Sequence, residues 1–142
     1  MRWQDGGGFV VAGWNGLHII STDGSTAGIT VGPATDGDWH HVAMTWEQDM
    51  FGGFRSYLDG ELVAERDSGP NPLPMINGQA YLGAYQGVSE FTNGQLDEVR
   101  IWEVVRTQEE LQEWMNKPLS GEVESLLAVS YTHLTLPTIC SV

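Results

Sequence analysis

The stretch Trp39-His40-His41-Val42-Ala43-Met44-Thr45-Trp46 decides how this chain folds. Read with the period of two that a strand imposes, it puts His40, Val42, Met44 and Trp46 on one face and Trp39, His41, Ala43 and Thr45 on the other. Both faces carry bulk, so neither suits water. A strand of this kind lies inside two layers or beside a covered concavity, which favours a β-sandwich or jelly roll over a single exposed sheet. The second informative stretch, FTNGQLDEVRIWEVVRTQEELQEWM from Phe91 to Met115, repeats the pattern in VRIW, where Val99 and Ile101 oppose Arg100 and Trp102.

Outward from these, short apolar and β-branched runs recur between turn residues at 9–14, 17–22 and 27–32, the spacing of an all-β chain. Asp59-Gly60 sits between two strand-like runs and supplies the positive φ angles of a tight turn, which predicts a β-hairpin. Three prolines in Ser68 to Pro74 cannot donate to a ladder, so that stretch is a loop before a strand near Gln79 to Tyr85. A last strand is expected at about Leu96 to Val104. One helix is predicted: Thr107 to Glu110 form a capping box, Leu111, Trp114 and Met115 make its apolar stripe, and Pro118 ends it near Lys117.

The bulk numbers agree with one globular domain of 142 residues, 41% hydrophobic. Six basic against 19 acidic residues give a net charge of -13, a field that repels phosphate backbones and anionic lipid headgroups. Nucleic acid is therefore not an expected partner, and no run approaches the roughly 18 apolar residues of a membrane span. The first residues, MRWQDGGG, lack the apolar core of a signal peptide, so any export signal is expected outside this chain, and the sole cysteine, Cys140, excludes an intrachain disulfide framework.

Four motifs in order resemble the concanavalin A-like superfamily of jelly rolls, more narrowly its laminin-G-like and pentraxin-like domains. Asp38 to Ala43 is similar to the family's W-x-H-V-A strand, Tyr57 to Val63 to its Y-x-D-G-x-L-V hairpin, Leu82-Gly83 to the L-G strand, and Phe91 to Trp102 to F-x-G-x-I-D-E-V-R-I-W. The resemblance runs from about Phe9 to Leu127. It implies opening strands that nothing before Phe9 matches, so a domain over 1–128, truncated at its start and marginally stable alone, is expected. Residues 129–142 have no counterpart and read as a non-native or unstructured tail.

Retaining glucanases of this superfamily need two carboxylates roughly 5 Å apart, often as E-x-D-x-E on one strand. No such run occurs, and Asp97 and Glu98, read as strand neighbours, point to opposite faces. Glu109, Glu110 and Glu113 read as a solvated helix face. His40 and His41 diverge from each other and lack a third ligand at zinc spacing, and Gly6-Gly7-Gly8 reads as a turn. The chain is thus expected not to be an enzyme. The resemblance makes Asp97 a candidate ligand of a structural calcium ion, with a loop-amide cap as its alternative.

Aromatic faces stack on sugar rings, so an exposed Trp marks a carbohydrate site. Trp39, Trp46, Trp102 and Trp114 are expected in the core, which leaves Trp14 and Tyr85 as loop-proximal ligand contacts. The reading is an antiparallel β-sandwich with one short C-terminal helix, a lectin-like, carbohydrate-binding module from an extracellular or cell-surface multidomain protein. Its partner would be a glycan or an extracellular protein. Alternatives are an adhesive or spacer domain and a glycoside hydrolase fragment.

Overall fold

The structure, a computed structural model, describes the backbone of residues 2–3, 9–13, 17–21, 29–32, 36–47, 50–67, 80–82, 95–119, 124–130, 134–135 and 140–141, with side chains at 36–47, 50–67, 95–119 and 124–127. In chain order the elements are β1 (Arg2–Trp3), β2 (Phe9–Gly13), β3 (Leu17–Ser21), β4 (Ile29–Gly32), β5 (Val42–Trp46), β6 (Phe54–Leu58) and β7 (Glu61–Arg66). They continue with β8 (Ala80–Leu82), β9 (Gln95–Leu96), β10 (Val99–Trp102), α1 (Gln108–Trp114), β11 (Leu126–Ser130), β12 (Leu134–Thr135) and β13 (Cys140–Ser141). Every described strand pairing is antiparallel: β2-β3-β4, β5-β6-β7, β1-β8-β13, β10-β11 and β12-β9.

Among the described side chains, the best-packed unit is β5-β6-β7. Val42 faces Leu58 and Trp46 faces Phe54 across the first ladder, and Leu58 faces Glu61 across the second. As the middle strand, β6 is covered on both faces: Phe54 and Ser56 are fully buried and Tyr57 is nearly so. The Ser56 hydroxyl donates toward the Ala64 carbonyl at 3.5 Å, which keeps one buried polar group partnered. β7 lies at the edge of this sheet; its register slips beside Ser56 and Tyr57, and Leu62 and Val63 are exposed. A register slip of this kind bends an edge strand and discourages further pairing.

The predicted hairpin is present. Asp59 (φ 52°) and Gly60 (φ 80°) form its two-residue turn, both in the left-handed region that such a turn requires. The predicted helix is also present, and Thr107 caps it as expected: its hydroxyl accepts from the Glu110 amide while the Glu110 carboxylate accepts from the Thr107 amide at 2.9 Å. Two expectations need correction. The last strand is interrupted, because Asp97 Oδ1 accepts from the Glu98 amide at 2.9 Å and Glu98 adopts φ 49°, which separates β9 from β10. Asp97 and Glu98 are therefore a kink and not alternating strand neighbours.

The stretch 68–74 lies outside the described residues, and only Ala80–Leu82 of the strand expected beside it is described. Val129 and Ser130 continue β11 against Arg100 and Val99, β12 pairs with β9, and β13 pairs with β8.

Candidate functional site

Two segments meet at one end of the β5-β6-β7 sheet: the loop 36–41 that leads into β5, and the Asp59-Gly60 turn. Asp59 joins them. Its Oδ1 accepts from the His41 amide at 2.9 Å, its own amide donates to the His41 carbonyl at 2.8 Å, and its Oδ2 lies 2.8 Å from His40 Nδ1. The other ring nitrogen, Nε2, lies 3.1 and 3.2 Å from the two carboxylate oxygens of Asp36. Asp36 Oδ1 also accepts from the Asp38 amide at 3.0 Å, which closes the tight bend of the loop. His40 thus bridges a carboxylate four residues away and another nineteen residues away.

The two histidines are pushed in opposite directions. Hydrogen bonds to Asp59 and then Asp36 raise the His40 imidazole above its ordinary value, whereas burial, reinforced by the Arg100 charge, lowers His41. Asp59 is held below the ordinary carboxylate range chiefly by His40, and Asp36 chiefly by the Asp38 amide and then by His40.

At the rim of this cluster stands Trp39, 59% exposed. The expectation that Trp39 lies in the core is wrong for a definable reason: β5 begins only at Val42, so the alternation that buries one face does not reach position 39. Trp114 is also exposed, on a helix with no buried residue, and Lys117 Nζ sits 5.3 Å from its ring centroid. Trp46 and Trp102 are half-buried and not fully enclosed; the Arg106 guanidinium covers the Trp102 ring at 4.0 Å. The sequence reading therefore missed Trp39 and the His40 bridge. Two signals carried the bridge: Asp36 lies four residues before His40, and Asp59 occupies the turn of the strand that pairs with β5.

Trp14 and Tyr85, the ligand contacts expected from the sequence, lie outside the described residues. Asp97 lies in the kink before β10, half-buried, with Oδ1 accepting from the next amide. No group of three or more His, Cys, Asp or Glu able to hold a metal gathers among the described residues, so those residues alone do not furnish a calcium shell around Asp97.

The rest of the VRIW motif serves architecture. Arg100, nearly enclosed, pairs with Glu98 at 2.9 Å and donates to the carbonyls of Trp114 at 2.8 Å and Lys117 at 2.6 Å. A guanidinium placed there gives the Trp114 carbonyl a second donor beside the Lys117 amide at 3.2 Å and complements the negative pole of the helix dipole. At the other end Arg106 pairs with Glu110 at 3.2 Å and donates to the Glu124 carbonyl at 3.3 Å. Side chains of α1 reach the hairpin turn as well: Gln112 donates to the Gly60 carbonyl and to Glu61, each at 3.1 Å.

These features define an antiparallel β-sandwich module whose recurrent motifs hold a hairpin, a kinked strand and a helix together, with an aromatic and charged rim at one end. The chain belongs to the concanavalin A-like lectin/glucanases superfamily, since the laminin-G family model of that description matches residues 2–112. The match begins ahead of Phe9 and ends inside α1. Comparison with curated proteins and with solved structures gave no match. The family supports a carbohydrate-binding or adhesive module in general, and laminin-G-like domains are typically non-catalytic and commonly extracellular. No helix among the described residues is long and apolar enough to cross a membrane.

Proposed function

We propose that this chain is a non-catalytic, lectin-like module of an extracellular or cell-surface multidomain protein, and that it binds a glycan at the rim formed by Trp39 and the 36–41 loop. The observation that carries this reading is the 59% exposure of Trp39 beside the exposed carboxylates of Asp36, Asp38 and Asp59. An indole face offers apolar area to the C–H face of a sugar ring, and carboxylate oxygens accept from its hydroxyls. Such a site needs no acid and base pair, and none is invoked. Calcium enters the proposal through Asp97, as one oxygen ligand of a structural ion.

The test is a broad glycan array probed with wild-type protein and Trp39→Ala, in calcium and in EDTA. Wild type is expected to be retained on at least one polysaccharide, with about tenfold loss in Trp39→Ala, the scale of one lost aromatic contact. Weaker retention in EDTA, with Asp97→Asn insensitive to calcium, would support the ion. No retention on any glycan, or retention indifferent to Trp39, overturns the site. An adhesive role through protein contact is favoured by one observation at the opposite loop, where Phe51 is 85% exposed next to exposed Met50.

A further inference from the structure

We propose that Asp36, His40 and Asp59 form a proton-held latch that ties the Trp39 loop to the β6–β7 turn, closed while the imidazole carries both ring protons and loosened when it loses one. The bonding pattern favours this. Each ring nitrogen lies within hydrogen-bond distance of a carboxylate, Nδ1 at 2.8 Å from Asp59 and Nε2 at 3.1 Å from Asp36. An ionised carboxylate only accepts, and a neutral imidazole has a single N–H to give. With one proton gone, a ring lone pair would face carboxylate lone pairs. Only the imidazolium satisfies both neighbours, and it also neutralises charge between two acidic side chains held on separate segments.

Asp36 comes from the loop itself and Asp59 from the hairpin turn, and these two are the charged groups that act on His40. The nearby Glu61 and Arg100 are engaged with α1. From the hairpin, Glu61 accepts from Gln108 and Gln112 of α1; from β10, Arg100 acts on His41 and binds the end of the helix. Asp38 contributes its amide to Asp36.

The direction of the pH dependence follows. His40 is raised on folding, so its contribution is complete below the unfolded imidazole value, about 6.5, and is lost as pH rises through the higher folded value. Asp36 and Asp59 are lowered, so theirs is present above the unfolded value of about 3.9 and is lost as pH falls through their folded values. The latch is closed between these limits. Trp39 adjoins His40 in the chain, so loosening the latch removes the side-chain tie next to the indole, while the two His41 backbone bonds to Asp59 persist. Only this link to ligand capture rests on the glycan reading above.

The decisive experiment is an NMR titration of the whole chain without glycan, following both histidine rings and the amides of 36–41. His40 is expected to titrate above free histidine and His41 below it, with the 36–41 amides shifting in step with His40. Titration of His40 at or below the free value, or loop amides indifferent to it, overturns the latch. As a second measurement, wild type should melt above His40→Gln near pH 5.5, and that advantage should vanish near pH 8.5. An equal difference at both pH values also overturns it. Should the variant fail to fold, the wild-type titration decides alone. Because no glycan is present, failure on the array leaves both readouts intact.

Discussion

Single positions in this chain are decided by what lies beside them in space. Gly60 shows the point. Its φ of 80° belongs to the left-handed region, and a Cβ placed there would sit 2.7 Å from Gln112 Cγ and 3.3 Å from Met115 Sδ. Two costs therefore coincide at one residue, the backbone penalty for an L side chain and a collision with α1. Gly60→Ala is expected to lose about 1–2 kcal/mol from the backbone alone, read as a lower urea midpoint. An unchanged midpoint would show that the turn relaxes freely. Asp59 tolerates φ 52° without being glycine because Asp is among the residues that visit this region, and its carboxylate then becomes the anchor for His40 and His41. The glycine of the turn was plain in the sequence. That α1 lies against this turn was not, because no local pattern relates Gly60 to Gln112.

At the scale of elements, the short helix shows how local and long-range terms divide. Seven residues are too few to hold a helix in water, since nucleation is costly and little is gained per turn. The capping box starts α1, but it is Arg100 that holds its far end, through the carbonyls of Trp114 and Lys117. Arg100→Met keeps the stem's apolar volume while removing these bonds and the partner of Glu98. It is expected to cost about 2–4 kcal/mol. Hydrogen exchange should show α1 losing protection well before β5 and β6, and a uniform loss across all elements would refute the clamp. The start of the helix was legible because a capping box is a four-residue pattern. Its fastening depends on a residue seven positions before that box and on another strand, and no periodicity announces it.

For the whole molecule, the described core centres on β6. Phe54 is fully buried and Phe51, three residues earlier, is 85% exposed, a contrast that propensity alone does not anticipate. Phe54→Ala should cost about 3–5 kcal/mol through lost burial and an unfilled cavity, a large share of the roughly 5–15 kcal/mol by which domains are stable. Phe51→Ala should remain within about 0.5 kcal/mol of wild type. Equal effects at the two positions, measured by denaturant titration, would displace the core from β6. The same contrast separates the described core from its periphery: Phe54 and Tyr57 at the sheet centre are buried, while Trp39 and Phe51 on its two end loops face solvent.

The order of motifs by itself determined the antiparallel class of the fold, the hairpin at Asp59-Gly60, the existence of β5 though not its start, and the start of α1. Each of these follows from spacings of two to four residues, over which backbone geometry and side-chain alternation act directly. Only the tertiary structure decided that Trp39 faces solvent, that Asp97 and Glu98 kink the chain, that Arg100 grips a helix end, and that His40 stands between two carboxylates. The reason is physical: burial and charge pairing are set by distances in space. Asp59 comes within 2.8 Å of His40 only because β5 and β6 pair in one register and their ends coincide.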